Sequence, residues 1–223
     1  MTQKIWWLIH KDLVSECRAR RVWPAMALLG IVVALVFSIQ MDLPPNQKRE
    51  MIGGLLWLAI FFAGMVAMDR SFAAERDEGC WDGLSLCPVS PTTIYLAKLT
   101  SNVVAMAAIE TILIPLFVVL AGVELTSHPW AMVLVALLGN LGIAAVGTLL
   151  SAMSAGIRHN ASLLVLLVLP LATPVVLAAA EATRLLGEDS LGTQYWGWVQ
   201  LLGGFALVFV TAGAVLFDYV VED

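Results

Sequence analysis

The chain has 223 residues, of which 60% are hydrophobic and only 13% charged, and its formal net charge is −5. An ordinary soluble domain is about 45–50% apolar and about 25% charged, so this much apolar surface has no globular core large enough to hide it. The bilayer must be the solvent for most of the chain. The acidic balance, with no long basic run beyond the first two dozen residues, excludes nucleic acid as a partner.

The first segment, residues 1–21, carries Trp6, Ile9, Leu13 and Cys17 at helical spacing, with Lys4, Lys11, Glu16 and Arg18 largely off that stripe. Such a pattern predicts an amphipathic helix in the headgroup plane, tryptophan at the boundary and lysine toward anionic lipid. It serves either as an anchor that sets topology or as a lever transmitting force from a cytoplasmic partner, with Lys11, Asp12, Glu16 and Arg18 as its candidate residues. The charged stretch is too long, and the next apolar run too poor in cleavage-site residues, for a removable signal peptide.

Six apolar stretches follow, each near the roughly 20 residues that a helix needs to cross the hydrocarbon. They are expected at 22–39, 52–68, 99–122, 130–154, 161–180 and 196–217. Pro115 interrupts the third, and Pro170 with Pro174 the fifth, where kinks rather than breaks are expected, because neighbouring helices re-satisfy the freed backbone groups. No linker, low-complexity tract or internal repeat divides the chain, so 1–223 reads as one membrane domain.

Charge distribution orients it. With the N-terminus in the cytoplasm, Lys4, Lys11, Arg18, Arg20, Arg21, Arg70, Arg76, Lys98 and Arg158 fall inside, and only Lys48, Arg49 and Arg184 outside. Nine against three is a positive-inside bias, and it places both termini in the cytoplasm. Cys17, Cys80 and Cys87 then lie at the reducing face with no zinc or haem-attachment spacing, and His10, His128 and His159 are scattered. No metal site is expected.

Residues 69–98, between the second and third spans, carry the densest charge. Glu75, Arg76, Asp77 and Glu78 are followed by Gly79 and Gly83, which permit turns, then by Leu84, Leu86 and Val89, and Pro88 and Pro91 close the stretch before Tyr95 and Lys98. A short helix with charged flanks between two spans suits docking into a groove of another protein. A solvated loop with an ordinary charge cluster fits the same residues.

Two features lie inside the membrane. Glu110 falls near the middle of the third span, where a carboxylate costs about 2.5–3.5 kcal/mol on insertion scales. It reads as a cavity or gate residue, or as a structural carboxyl satisfied by Asn140, Thr148 or a neighbouring backbone carbonyl. On the fourth span Gly147, Ser151 and Ala155 repeat every fourth residue, a small-residue seam for close helix approach. That seam serves intramolecular packing or a contact with a second copy.

The stretch from Gly54 to Lys98 resembles the CcmB family, the haem-exporter B subunit of bacterial cytochrome c maturation. The residues that carry the resemblance are Trp57, Arg70-Ser71-Phe72, Glu75-Arg76, Gly79, Gly83-Leu84, Pro88-Val89 and Tyr95-Leu96-Ala97-Lys98, with Lys11-Asp12-Leu13 and Glu16-x-Arg18 at the opening. Trp81, Asp82 and Ala97 depart from the family's usual residues without disturbing the architecture. The second half agrees in span number and length.

The resemblance implies an all-α integral membrane protein, a six-helix permease of the ABC-2 exporter kind with an N-terminal interfacial helix. Residues 69–98 would couple to an ATPase through Glu75, Arg76, Asp77, Glu78, Gly79, Gly83, Leu84, Leu86 and Pro88. Implied partners are a CcmA-type ATPase, a CcmC-type haem-handling protein, a small CcmD-type subunit, a CcmE-type haem chaperone as client, and a second copy of the chain. Haem would be cargo, with no cofactor bound by this chain. ATP would be hydrolysed in the partner, in keeping with a sequence that has no G-x-x-x-x-G-K-[ST] phosphate loop. Tyr195-Trp196-Gly197-Trp198 only faintly echoes a tryptophan-rich haem motif and reads better as an aromatic belt opening the last span. Two other functions suit the same architecture: export of a drug, lipid or glycan, and a static scaffold that recruits haem-handling partners.

Overall fold

The computed structural model describes residues 22–40, 44–71, 90–122, 128–156, 161–188 and 190–222. In hydrocarbon every backbone N–H and C=O must be satisfied within its own segment, which leaves the helix for apolar runs of this length. The described residues accordingly form six helices and no strand: α1 Val22–Gln40, α2 Pro45–Ser71, α3 Pro91–Ala121, α4 Pro129–Gly156, α5 Ala161–Gly187 and α6 Thr193–Glu222. Five of them are long and apolar enough to cross a membrane, and α1 adds the shorter apolar stretch Pro24–Val36. The 19 residues of α1 span roughly 28 Å and the 31 of α3 roughly 46 Å. Against a hydrocarbon core of about 30 Å, α3 reaches well beyond the lipid.

The helices alternate in direction. One face of the bundle carries the start of α1, the end of α6 and the stems of the segment between α2 and α3; it is called here the terminal face, and the opposite one the far face. α2, α3 and α4 form the centre: α2 packs on α1, α3, α4 and α5, while α4 packs on α2, α3, α5 and α6. α6 turns Leu207, Val208, Val215 and Leu216 outward, where lipid accepts them.

Lipid tails are as apolar as leucine, so packing rather than hydrophobic expulsion must hold such helices together. Glycine notches provide that packing. A Cβ at Gly139 of α4 would overlap the Trp57 ring, one at Gly147 the Met68 side chain, and one at Gly213 of α6 the Tyr95 ring. Each notch admits a large side chain from a helix far away in sequence. At the far end of α3, Gly122 adopts φ 65°, ψ 28°, and its N–H bonds the Val118 carbonyl at 3.0 Å, a left-handed cap that only glycine enters without strain.

Several expected boundaries move. α2 begins at Pro45 rather than Ile52, taking Lys48 and Arg49 into its first turns. α3 begins at Pro91 rather than Leu99. Ser90 precedes it in extended conformation, and Pro91 at the first helical position needs no N–H partner there. Tyr95 and Lys98 are therefore buried helix residues and not part of a loop, and the connecting segment narrows to 72–90. α5 continues past Ala180 to Gly187, so Arg184 sits in its last turn, bonded to Glu181 at 2.9 Å and Glu188 at 2.6 Å. These charges extend the helix because each meets its partner one turn away. α3 and α5 run through Pro115, Pro170 and Pro174 as unbroken helices.

Candidate functional site

Of the residues singled out in the sequence, Lys11, Asp12, Glu16, Arg18 and the group from Glu75 to Pro88 lie outside the described residues. What is described is the framework on which the segment between α2 and α3 is mounted, and the polar groups inside the bundle.

Both stems of that segment are fastened to α4. In the last turn of α2, the Met68 side chain fills the notch at Gly147, and its backbone carbonyl accepts a 2.7 Å hydrogen bond from Ser151 Oγ. Gly147 and Ser151 of the small-residue seam thus pack against α2 within the same chain, and the surroundings of Ala155 lie outside the described residues. In the second turn of α3, Tyr95 is fully buried and packs at a tilt on Phe217, 5.6 Å between ring centres. Its hydroxyl lies within donating reach of the Ala145 carbonyl of α4 at 3.2 Å and the Phe209 carbonyl of α6 at 3.4 Å. A second tie from α3 to α6 has the same length, from Thr92 Oγ1 to the Ala214 carbonyl at 3.4 Å.

Deeper in the bundle α3 and α4 carry two polar pairs in one antiparallel register. Asn102 Nδ2 donates to Thr148 Oγ1 at 2.8 Å, and Asn140 Nδ2 donates to Glu110 Oε2 at 2.9 Å. Asn102 and Glu110 are eight residues apart, as are Asn140 and Thr148, so the pairs lie about 12 Å apart along the interface. Glu110 is 4% exposed. Its partner is Asn140 and not Thr148, which is committed to Asn102. Among the described residues, Glu110 Oε1, Asn140 Oδ1 and Ser101 Oγ are buried without a hydrogen-bond partner.

Two more fastenings complete the frame. Trp57, seated against Gly139, donates from Nε1 to Thr183 Oγ1 of α5 at 2.9 Å, and Thr183 passes its own proton to the Ala179 carbonyl at 2.8 Å. At the far face, exposed Trp130 and Trp196 lie 6.4 Å apart, as an aromatic belt requires. Tyr195 departs from that belt: it is buried, and its hydroxyl donates to the Ala131 carbonyl of α4 at 3.0 Å.

Sequence reasoning missed Tyr95, Asn102, Met68 and Tyr195 as contacts. For Asn102 a signal existed, since the equal eight-residue spacing of polar groups on two consecutive spans fits a hairpin pairing. For Met68 and Tyr195 none did, because an apolar side chain and an aromatic near a helix end are ordinary in any membrane helix. Among the described residues no cluster of histidine, cysteine or acidic side chains could hold a metal ion.

The match to known proteins covers nearly all of this framework. The family described as CcmB protein matches residues 3–221. A protein named Heme exporter protein B from Rhodobacter capsulatus is 30% identical over 180 residues, covering 79% of this chain and 81% of its own length. Proteins of the same name from Haemophilus influenzae, 26% identical over 81% of this chain and 80% of its own length, and from Pseudomonas aeruginosa, 25% identical over 77% of each, agree. A multi-pass all-helical bundle matched from end to end in this way belongs to the CcmB family.

Proposed function

We propose that the chain is the membrane permease subunit of a haem-export system of the ATP-binding-cassette kind, working in cytochrome c maturation at the bacterial inner membrane. The family match from residue 3 to residue 221 carries this reading. The chain itself transports or transduces, and a CcmA-type ATPase supplies the hydrolysis. A CcmC-type haem-handling protein, a CcmD-type small subunit and a second copy complete the assembly, and a CcmE-type chaperone receives haem as cargo.

Coupling is assigned to residues 72–90, extended from the stems described above. Leu84 and Leu86 are the apolar anchors at the centre of the docking contact, and Glu75, Arg76, Asp77 and Glu78 form its charged rim. Leu84→Ala with Leu86→Ala weakens ATPase recruitment, by roughly 1–2 kcal/mol or more for each well-buried side chain. Charge reversal at Glu75 or Arg76 leaves the complex present but hydrolysis uncoupled from chaperone release. Co-purification of the ATPase beside holo-chaperone yield, at equal amounts of this protein in the membrane, measures both. Full binding and full output in every variant would move the static-scaffold reading ahead.

The basic residues orient the assembly with both termini in the cytoplasm. Cysteine reporters at Asn46, His128 and Ser190 should be labelled from the periplasm, and those at Asp77, His159 and the C-terminus should not. Periplasmic labelling at Asp77 removes the docking segment from the side where ATP is hydrolysed.

A further inference from the structure

The stems of the segment between α2 and α3 converge on one helix. Met68 fastens α2 to α4 twice, through the Gly147 notch and through Ser151 Oγ at 2.7 Å. Tyr95 fastens α3 to α4 at the Ala145 carbonyl. Ala145, Gly147 and Ser151 lie within two turns of α4, just inside the terminal face. α4 is hydrogen-bonded to both stems, and α6 accepts from the α3 stem at Phe209 and Ala214.

From that double attachment α4 runs roughly 32 Å to Trp130 at the far face. Along the way it holds Glu110 through Asn140 and receives the Tyr195 hydroxyl at Ala131. A displacement of the connecting segment that moves Met68 reaches α4 through the Ser151 bond and the Gly147 notch, and one that moves Tyr95 reaches it through the Ala145 carbonyl, while the Tyr95 ring itself sits in the Gly213 notch of α6. Packed interiors transmit such shifts because they have no free volume in which to absorb them.

We propose that α4 is the helix that carries movement from the ATPase-docking segment to the far face, with Met68–Gly147–Ser151 and Tyr95–Ala145 as its two input links. Tyr95 and Ser151 are positioning residues in this scheme. The proposal rests on the reading of residues 72–90 as the docking segment, so its test must separate the two.

The experiment uses the assembled complex in membranes holding equal amounts of this chain. It compares Ser151→Ala, Tyr95→Phe, the double variant and the docking variant Leu84→Ala with Leu86→Ala. Each stem substitution removes one hydroxyl and little volume. The expected result is retained ATPase binding and hydrolysis, with holo-chaperone output per ATP hydrolysed falling severalfold in each single variant and further in the double. A spin label at Val133, 58% exposed at the far end of α4, should lose its ATP-dependent change in mobility in the double variant. A merely structural role would lower protein amount while leaving output per ATP unchanged.

Full output per ATP and a preserved Val133 signal in the double variant, with output lost in the Leu84/Leu86 variant, would overturn the α4 route while leaving the docking segment intact. Full output in the Leu84/Leu86 variant as well would overturn the docking reading, and the route with it. If Tyr95→Phe lowers the amount of assembled protein, Ser151→Ala decides the matter alone on the same two readouts.

Discussion

Trp57→Ala should destabilise the bundle by about 3–5 kcal/mol, the range for emptying a large aromatic from a packed interior. Trp57 is fully buried, and its ring is the filling of the Gly139 notch between α2 and α4. Without it α2 and α4 face a void that lipid cannot reach, and the dispersion contacts that replace hydrophobic expulsion in a membrane are lost. The polar part of the loss is small, because the Thr183 hydroxyl keeps its own bond to the Ala179 carbonyl. Thr183→Val separates the two contributions: it leaves the Cη2–Cζ3 edge of Trp57 in the Gly139 notch and removes the acceptor of the indole N–H, at a cost of about 0.6–1.7 kcal/mol for an interhelical hydrogen bond. Thermal unfolding of the purified protein in detergent reads both. A Trp57→Ala variant no less stable than Thr183→Val would mean that the notch is not where the packing energy resides.

Substitutions at Glu110 should split by shape rather than by charge. Glu110→Gln keeps a side-chain oxygen to accept from Asn140 Nδ2 and changes little volume, so protein amount and haem output should stay near wild type. Glu110→Leu leaves the Asn140 carboxamide buried without a partner, at about 1–3 kcal/mol, and should lower the amount of assembled protein. Adding Asn140→Leu should restore much of it, since replacing both partners removes the orphan along with the bond. Immunodetection in membranes with detergent melting follows all three variants. Reduced holo-chaperone output in Glu110→Gln at unchanged protein amount would instead place the carboxyl in the transport step.

Much of the architecture was legible because it depends on local composition. A run of about 20 apolar residues becomes a helix in lipid whatever it packs against, which is why all six spans were found. The errors lay at their ends, at Pro45, Pro91 and Gly187, where polar residues continue a helix beyond the lipid. Lys48, Tyr95, Lys98 and Arg184 look like loop residues in a hydropathy profile. In the structure the backbone continues through them, because a helix once nucleated propagates until something breaks it.

The polar interior was half legible. Glu110 and Asn140 stood out because charge and carboxamide are costly in hydrocarbon, and Asn140 was among the three partners considered. Which of the three pairs with Glu110 depends on the relative rotation and register of α3 and α4, and no local rule supplies those.

By itself the sequence determined the membrane class, the number of spans, the family resemblance and the residues whose burial would be expensive. Only the tertiary structure decided that Gly147 receives Met68, that Gly213 receives Tyr95, and that both stems meet on α4. Those outcomes depend on knob-and-notch fit between helices separated by some 50 to 120 residues. A glycine in a span is silent about its occupant until a side chain of the right size arrives at the same depth.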